Sequence, residues 1–334
     1  MNPEISIVVP VYKGVRFLRE ALGSVIAQTF ADWECLCVDD GSKDGSGVLL
    51  DEIAADEPRI RVFHRPNGGT SVARNFALSQ ARGRYIAFLD EDDVYHPRML
   101  ETLHIAAERA QADIVGCEFQ KFDESGHPVW EQDPPDECAW RIADRAKLAD
   151  WVSRYYDGIP FEVWRNLYRR ETAVGHEFPP GVRVEQDLYW HYTLFPCVSR
   201  YVRIPWCGYA WRANLSNGGF LHPDPESLIS LVQTDFTVFK AVVGGLDLTE
   251  EQRDRLAAAM SEFLFHCLWR PLHNGIRMDS GQVARLRDGL RVLQGQGVSL
   301  DGLLPFAKRI RWKLALRTGN LRWMRTHKSA GREA

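Results

Sequence analysis

The residues best suited to chemistry in this sequence are four consecutive acids, Asp90–Asp93. Carboxylate oxygens are hard ligands, and proteins usually hold Mg²⁺ or Mn²⁺ through one or two carboxylates together with the phosphates of a substrate. Acids are also common in turns, so the cluster taken alone indicates only a turn. The apolar run Tyr85–Leu89 comes directly before it and predicts a buried strand that ends on the acids.

Two further predicted strands end on polar residues in the same way. Ile5–Val11 is an apolar, β-branched run followed by Tyr12, and Glu34–Val38 is followed by Asp39. In an open parallel sheet, the ligand crevice lies beyond the carboxyl ends of the strands. We therefore expect all three groups of polar residues at one edge, an arrangement that favours a ligand and metal site over an ordinary turn.

The elements that carry these residues alternate between strand and helix. Apolar residues at helical spacing, with Thr70 and Pro97 at helix starts, predict helices between the strands. The predicted strands are 5–11, 34–38, 60–64, 85–89 and 113–119, and the predicted helices are 17–26, 47–55, 70–81 and 97–110. This alternation indicates βαβ units and an α/β fold, with a Rossmann-like, mostly parallel sheet flanked by helices.

The loop after the first strand argues against two common nucleotide-binding classes. A dinucleotide-binding dehydrogenase needs G-x-G-x-x-G at this place, so that the backbone can approach a pyrophosphate. The loop Pro10–Gly14 has one glycine, and the sequence has no P-loop motif. Asp39 does not separate the classes, because an acid after the second strand can hold a nucleoside in either.

Five segments of the first 110 residues resemble glycosyltransferase family 2, whose members have the GT-A fold. They are SIVVPVYKG at 6–14, L-x-x-A-L-x-S-V-x-x-Q-T at 18–29, VDDGSKDGS at 38–46, NGGTSVARNFAL at 67–78 and GRYIAFLDEDDVYHP at 83–97. The resemblance implies a nucleotide-diphospho-sugar donor, with UDP favoured, a Mn²⁺ or Mg²⁺ cofactor, and inversion at the anomeric carbon.

The same resemblance implies roles on the nucleotide side of the site. Pro10, Val11 and Tyr12 would flank the nucleobase. Asp39 would accept a hydrogen bond from N3–H of uracil, and Arg74 matches a basic position near the nucleotide.

The acidic turn and a later arginine complete the donor side that the resemblance implies. Asp90 and Asp92 match the D-x-D pair, in which Asp92 would bind the metal and Asp90 the ribose or the metal. Arg212, in the sequence YAWR, resembles the mobile loop that binds the diphosphate in the family. An ordinary surface arginine is an equally good interpretation of Arg212.

The resemblance places the general base in a Glu-Asp motif at a helix start further along the chain. Alignment puts Asp187 on the Asp of that motif and Gln186 on its Glu, which is a departure from the family. Glu185 is the alternative base, one residue before Gln186. Among the aromatic residues, we expect Trp164 and Trp190 at the acceptor site.

The C-terminal part of the chain is predicted to be helical and to end on a basic segment. Helices are indicated over about 226–243, 250–269 and 280–294. Eight Lys or Arg residues and no acid lie between Lys308 and Lys328, although the whole chain has a formal charge of −4. Tryptophan and leucine among these cations suit an anionic membrane surface, and a helix packed on the acidic body suits them equally well.

These observations predict three parts: residues 1–120 bind the nucleotide-sugar, 121–222 face the acceptor and carry the base, and 223–334 form a helical extension ending in a basic segment at 306–328. We expect a cytoplasmic protein, peripheral on the cytosolic face of the inner membrane if that segment binds lipid, with a homodimer left open and no nucleic-acid partner. The acceptor would be a glycan or a lipid-linked saccharide in surface polysaccharide synthesis. A nucleotide-sugar-binding or scaffold protein without turnover is the alternative, because Gln186 replaces the family's Glu.

Overall fold

The computed structural model describes residues 2–123, 126–130, 132–154, 162–181, 186–213, 225–273 and 278–295. These residues form two units. The first unit comprises 2–148, 162–181 and 186–213, and the second comprises the remainder. Glu185 and the basic segment 306–328 lie outside the described residues.

Four strands at the start of the chain form the parallel half of the sheet in the first unit. They pair in the order β3-β2-β1-β4 and are β1 (Ile5–Val11), β2 (Trp33–Asp39), β3 (Ile60–His64) and β4 (Tyr85–Phe88). Every residue of β1 and β2 is buried, as expected for apolar strands covered on both faces. Val11 lies opposite Asp39 in the register, so the polar residues that follow these two strands begin at the same edge.

Helices connect these strands as the periodicity predicted. They are α1 (Leu18–Ile26), α2 (Ser46–Asp56), α3 (Thr70–Gln80) and α4 (Met99–Ala110). The N-cap of α3 and the start of α4 differ most from the prediction. Gly69 rather than Thr70 is the N-cap of α3, with a φ of +89° that glycine adopts readily. Helix α4 begins at Met99, two residues after Pro97.

The other half of the sheet mixes strand directions. Its strands are β5 (Val94–Tyr95), β6 (Ile114–Asp123), β7 (Arg141–Asp144), β8 (Asn166–Arg169) and β9 (Arg200–Ala213). Strand β8 is inserted antiparallel between β4 and β6, so β6 does not pair directly with the parallel half. Strand β9 lies parallel to β6 and pairs antiparallel with β5 and β7. The predicted mostly parallel sheet is therefore parallel in one half and mixed in the other.

Helices after β7 complete the described chain. They are α5 (Arg145–Ser153), α6 (Arg170–Ala173), α7 (Gln186–Leu194), α8 (Pro225–Gly245), α9 (Glu250–His273) and α10 (Ser280–Gln294). In the second unit, Asp279 and Gln282 form a capping box that fixes the start of α10. Among the described residues, no helix is both long and apolar enough to cross a membrane.

Candidate active site

Backbone hydrogen bonds join the loops that follow β1, β2 and β4. The backbone N–H of Tyr12 donates to Oε1 of Glu91 at 3.3 Å, and that of Lys13 donates to the hydroxyl of Ser42 at 3.0 Å. A Cβ on Gly14 would lie 2.5 Å from Cγ of Glu91, so glycine permits this close approach. The three polar loops predicted to meet at one edge of the sheet therefore do meet there.

Asp40 fixes the loop that leads into α3. Its carboxylate accepts hydrogen bonds from the backbone N–H groups of Gly68 at 2.7 Å and Gly69 at 2.8 Å, and from Nδ2 of Asn67 at 3.0 Å. A Cβ on Gly41 would lie 2.9 Å from the backbone nitrogen of Asn67. No role for Asp40 is predicted from the sequence, although the backbone N–H groups of the Asn-Gly-Gly loop need an acceptor nearby.

Asp93 anchors the acidic turn to strand β9. Its side chain is fully buried and accepts hydrogen bonds from the Tyr209 hydroxyl at 2.7 Å and the Arg212 backbone N–H at 2.8 Å. The hydroxyl of Tyr209 also accepts from the backbone N–H of Asp90 at 3.4 Å. Strand β9 thus holds the turn that carries the D-x-D pair.

Negative charge is concentrated at this turn. Burial, together with the charges of Asp92 and Asp90, raises the pKa of Glu91 to about 8. The same causes raise the pKa of Asp93 well above its ordinary value. Carboxylate oxygens are hard donors, and a divalent cation would offset the repulsion between neighbouring acids, so Asp90 and Asp92 are candidate ligands for Mg²⁺ or Mn²⁺.

Arg74 joins the acidic turn to helix α7. Its side chain is 3% exposed, and one guanidinium nitrogen donates to Asp90 at 2.9 Å while the other donates to Asp187. The guanidinium also lies 5.2 Å from the ring centroid of Phe178. Although burial opposes its charge, Asp187 and Asp90 raise the pKa of Arg74, which is therefore a permanent cation between two carboxylates.

Asp187 lies in the first turn of α7 and is accessible at the site, with 20% of its side chain exposed. Its second oxygen accepts from the backbone N–H of Val163 at 3.4 Å. Burial raises the pKa of Asp187, while the charge of Arg74 opposes that rise. A carboxylate whose pKa is raised towards neutrality is a stronger proton acceptor once ionised, which suits a general base.

Asp39 and the residues at the end of β1 form the other side of this edge. Asp39 accepts from the backbone N–H of Ser42 at 3.0 Å. Pro10 and Val11 are buried within β1, and Tyr12 projects with 44% exposure. The structure therefore brings Asp39 and Tyr12 to the edge that carries Asp90–Asp93, where an exposed aromatic ring and a carboxylate can contact a planar base.

The sequence suggested either a mobile loop or an ordinary surface position for Arg212. The structure shows neither. Arg212 is buried in β9, where its Nε donates to the carbonyl of Asp92 at 2.7 Å and its guanidinium pairs with Glu20 of α1. Phe17 and Phe122 lie against the guanidinium, at 4.5 and 4.3 Å from their ring centroids. In this conformation Arg212 supports the acidic turn, and its contact with a diphosphate stays a prediction.

The two tryptophans expected at the acceptor site differ in position. Trp164 stacks on Tyr209 with ring centroids 4.2 Å apart, next to the N–H of Val163 that contacts Asp187. Trp190 belongs to the core, because its ring is fully buried and stacks on Phe178 at 4.6 Å. The expectation for Trp190 is wrong, since apolar positions of a helix that packs on a sheet bury large aromatic rings.

A second group of potential metal ligands lies at the amino end of the sheet. Glu4, His104 and Glu108 place one ligand atom each within 4.8 Å of the others. Arg84 makes ion pairs with Glu4 at 3.2 Å and with Glu108 at 2.9 Å, so both acids already pair with a cation of the chain. This cluster is an ion-pair network of the fold.

The part of the chain that forms this edge of the sheet matches a known protein family. Residues 6–171, about half of the chain, match the family model described as Glycosyl transferase family 2. The chain belongs to glycosyltransferase family 2. The matched segment includes the three polar loops, Arg74 and β8, and it ends before Asp187.

Two bacterial glycosyltransferases extend this likeness beyond the matched segment. EpsJ of Bacillus subtilis (strain 168) is 35% identical over 217 residues, which are 64% of this chain and 62% of that protein. YibD of Escherichia coli (strain K12) is 32% identical over 197 residues, 56% of this chain and 55% of that protein. The chain thus spans about three fifths of the length of these relatives.

The fold of this family 2 chain is also found in a solved crystal structure. Residues 1–349 of S. aureus TarS, crystallised in complex with UDP, superpose with a TM-score of 0.70 over 97% of this chain and 89% of that one. The sequence identity is 17%, so the likeness shows the fold alone. The mixed α/β sheet flanked by helices is the GT-A fold that the resemblance to the family implied.

Proposed function

We propose that this protein transfers a sugar from a nucleotide-diphospho-sugar to a hydroxyl group, with inversion at the anomeric carbon and with a divalent metal. The main support for the proposal is that the guanidinium of Arg74 donates hydrogen bonds to both Asp90 of the acidic turn and Asp187 of α7. A metal-binding turn and a carboxylate base must flank one reacting carbon in such a transfer. Arg74 contacts a carboxylate from each.

On this proposal, Asp92 and Asp90 hold Mn²⁺ or Mg²⁺ together with the diphosphate of the donor. When bound there, the ion supplies positive charge that offsets the charge growing on the departing diphosphate. The chain contributes the rigidity of the turn, through Asp93 and its hydrogen bonds to β9.

Asp187 acts as the general base in this proposal. Its ionised carboxylate takes the proton of the acceptor hydroxyl while the oxygen attacks the anomeric carbon in line with the departing diphosphate. Arg74 and the N–H of Val163 hold both carboxylate oxygens, so the base is oriented before the acceptor arrives. Glu185 remains the alternative base proposed from the sequence.

The favoured donor is a UDP-sugar, bound between Tyr12 and Asp39. An ionised Asp39 is an acceptor only, which matches the imino N–H of uracil. TarS, whose fold this chain shares, has been crystallised with UDP and with UDP-GlcNAc. For the acceptor we propose a glycan or lipid-linked saccharide of surface polysaccharide synthesis.

The proposal is tested by UDP release from a panel of nucleotide-sugars with Mn²⁺ or Mg²⁺, and by calorimetric UDP binding. Asp92→Ala should weaken metal-dependent UDP binding at least about tenfold, because the turn loses a metal ligand. Asp56→Ala removes an exposed acid of α2 and should bind UDP as the wild type does. Equal affinity of Asp92→Ala and wild type would refute the metal assignment. Donor binding without release or transfer of any sugar would favour the scaffold alternative.

A further inference from the structure

The imidazole of His64 lies between two carboxylates. Its Nδ1 is 3.0 Å from Oδ2 of Asp39, and its Nε2 is 3.1 Å from Oδ1 of Asp51. A neutral imidazole carries one N–H and can donate to only one of these acids, whereas the imidazolium donates to both. The geometry therefore corresponds to a doubly protonated ring.

Three elements of the fold create this arrangement. His64 and Asp39 are the last residues of β3 and β2 and lie opposite each other in the parallel register. Asp51 reaches the outer side of the ring from α2. A Cβ on Gly47 would lie 2.8 Å from Oδ2 of Asp39 and 3.3 Å from the His64 ring, so the second residue of α2 leaves the space that the pair occupies.

The contact with His64 means that both carboxylate oxygens of Asp39 are held by hydrogen bonds. One carboxylate oxygen of Asp39 accepts from the backbone N–H of Ser42 and the other contacts Nδ1 of His64. Although burial opposes ionisation, the hydrogen bonds from His64 and Ser42 lower the pKa of Asp39. The carboxylate is thus ionised and held at both oxygens, with lone pairs left for a ligand.

We propose that protonated His64 is a positioning residue of the nucleobase site: it orients the carboxylate of Asp39 towards the base, and Asp51 is the second anchor of its ring. This inference rests on the proposed function, because Asp39 is the base-contacting residue of that proposal. His64 does not touch the nucleotide. Its role is to keep Asp39 in the orientation that an imino N–H requires.

A dependence on pH follows from the two contacts. The hydrogen bond to Asp39, and then that to Asp51, raise the pKa of His64 above its ordinary value, and the negative charges of the same two acids act in the same direction. Below that pKa both contacts are present. As the pH rises through it, the ring keeps one N–H, one contact is lost and nucleotide affinity falls. The side chain is 48% exposed, so its proton exchanges with water.

Calorimetric UDP titrations in Mg²⁺ from pH 5.5 to pH 9 test the inference with His64→Gln, Asp51→Asn and the control Asp56→Asn. His64→Gln should bind about five- to tenfold more weakly than wild type at pH 5.5, which is the size of effect that one typical intramolecular hydrogen bond has. At pH 9 the ratio should shrink to about twofold. Changes in the protonation of UDP with pH affect all four proteins equally, so they cancel in the ratio of affinities.

The two variants of α2 separate the role of Asp51 from general charge. Asp51→Asn should lose affinity at a lower pH than wild type does, because a carboxylate that favours the imidazolium is gone. Asp56→Asn removes the same charge from the same helix and should follow the wild type. A ratio between His64→Gln and wild type that stays constant with pH, or equals one, would overturn the inference while UDP binding itself upholds the donor site. Failure of the wild type to bind any nucleoside diphosphate would overturn the proposed function and this inference with it.

Discussion

Arg74 is the residue on which the candidate site depends. It is almost completely buried, yet both of its terminal nitrogens contact carboxylates from distant parts of the chain. A buried cation is tolerated only when its charge is compensated, and here the compensating acids are the ones proposed for metal binding and proton transfer. The ion pairs that compensate the buried charge of Arg74 therefore also hold the two proposed functional carboxylates, Asp90 and Asp187, in place.

Removal of Arg74 should affect stability as well as transfer. Arg74→Met leaves Asp187 and Asp90 without their cation, and breaking a buried ion pair in this way typically costs about 3–5 kcal/mol. We expect a loss of unfolding free energy at the lower end of that range, because Asp90 and Asp187 remain partly accessible to water. Urea denaturation measures it. Arg82→Met, at an exposed position, is the control and should leave the denaturation midpoint unchanged.

Replacing the proposed base should separate binding from chemistry. Asp187→Asn retains the shape of the side chain and an acceptor for Arg74, but it cannot take a proton. Transfer should fall by about 10²–10⁴-fold, the range for loss of a general base, while UDP affinity stays within about twofold. An assay of sugar transfer and calorimetry give the two quantities. If Asp187→Asn remains active and Glu185→Gln does not, Glu185 is the base.

Among the elements, strand β9 has the largest effect on the site without carrying a proposed catalytic group. It spans Arg200–Ala213 and pairs with β5, β6 and β7, which makes it rigid. Tyr209 and Arg212 extend from it to the acidic turn. The positions of Asp90 and Asp92 thus depend on a strand that lies more than 100 residues away in the chain.

Loss of the Tyr209 hydroxyl should loosen the acidic turn. Tyr209→Phe removes the hydrogen bond to Asp93 and leaves that buried carboxyl with one partner fewer, which costs about 1–3 kcal/mol. Metal-dependent UDP binding should weaken in parallel. Tyr201→Phe is the matched control, because it removes a buried hydroxyl that contacts Asn166 within the sheet. The control should lose stability but keep its metal and UDP affinities, and identical losses of affinity in both variants would contradict the role given to Tyr209.

On the scale of the whole molecule, the chain joins an acidic body to a basic C-terminal segment. The formal charge is −4, although eight cations and no acid lie between Lys308 and Lys328. Cations interspersed with tryptophan and leucine favour adsorption to anionic lipid headgroups. A lipid-linked acceptor would lie at such a surface, so the segment bears on the acceptor proposed above.

Truncation after Gly302 should therefore reduce binding to membranes. The full chain should pellet with liposomes that contain anionic lipid, and less so at high salt because screening weakens the attraction. The truncated chain should remain in the supernatant. Equal pelleting of the two proteins would remove the proposed membrane role of 306–328, and neutral liposomes provide the control for adsorption that does not depend on charge.

Local sequence patterns determined the parallel half of the fold and the edge at which the site lies. The ranges predicted for β1 and β3 agree with the structure, and the four helices differ by one or two residues at their ends. These elements are specified by the period of their own apolar residues and by turn residues next to them. The acids Asp90–Asp93 were recognisable for the same reason, since they end such a strand.

The insertion of β8 and the partners of Arg74, Asp93 and His64 were decided only by the tertiary structure. Strand β8 has four residues and no distinctive alternation, so its place between β4 and β6 depends on pairing with distant strands. Arg74 contacts acids 16 and 113 residues away, and Asp93 contacts a hydroxyl 116 residues away. Such contacts leave no periodic signal in the chain. They arise because a buried charge or polar group must find a partner wherever the packed sheet places one.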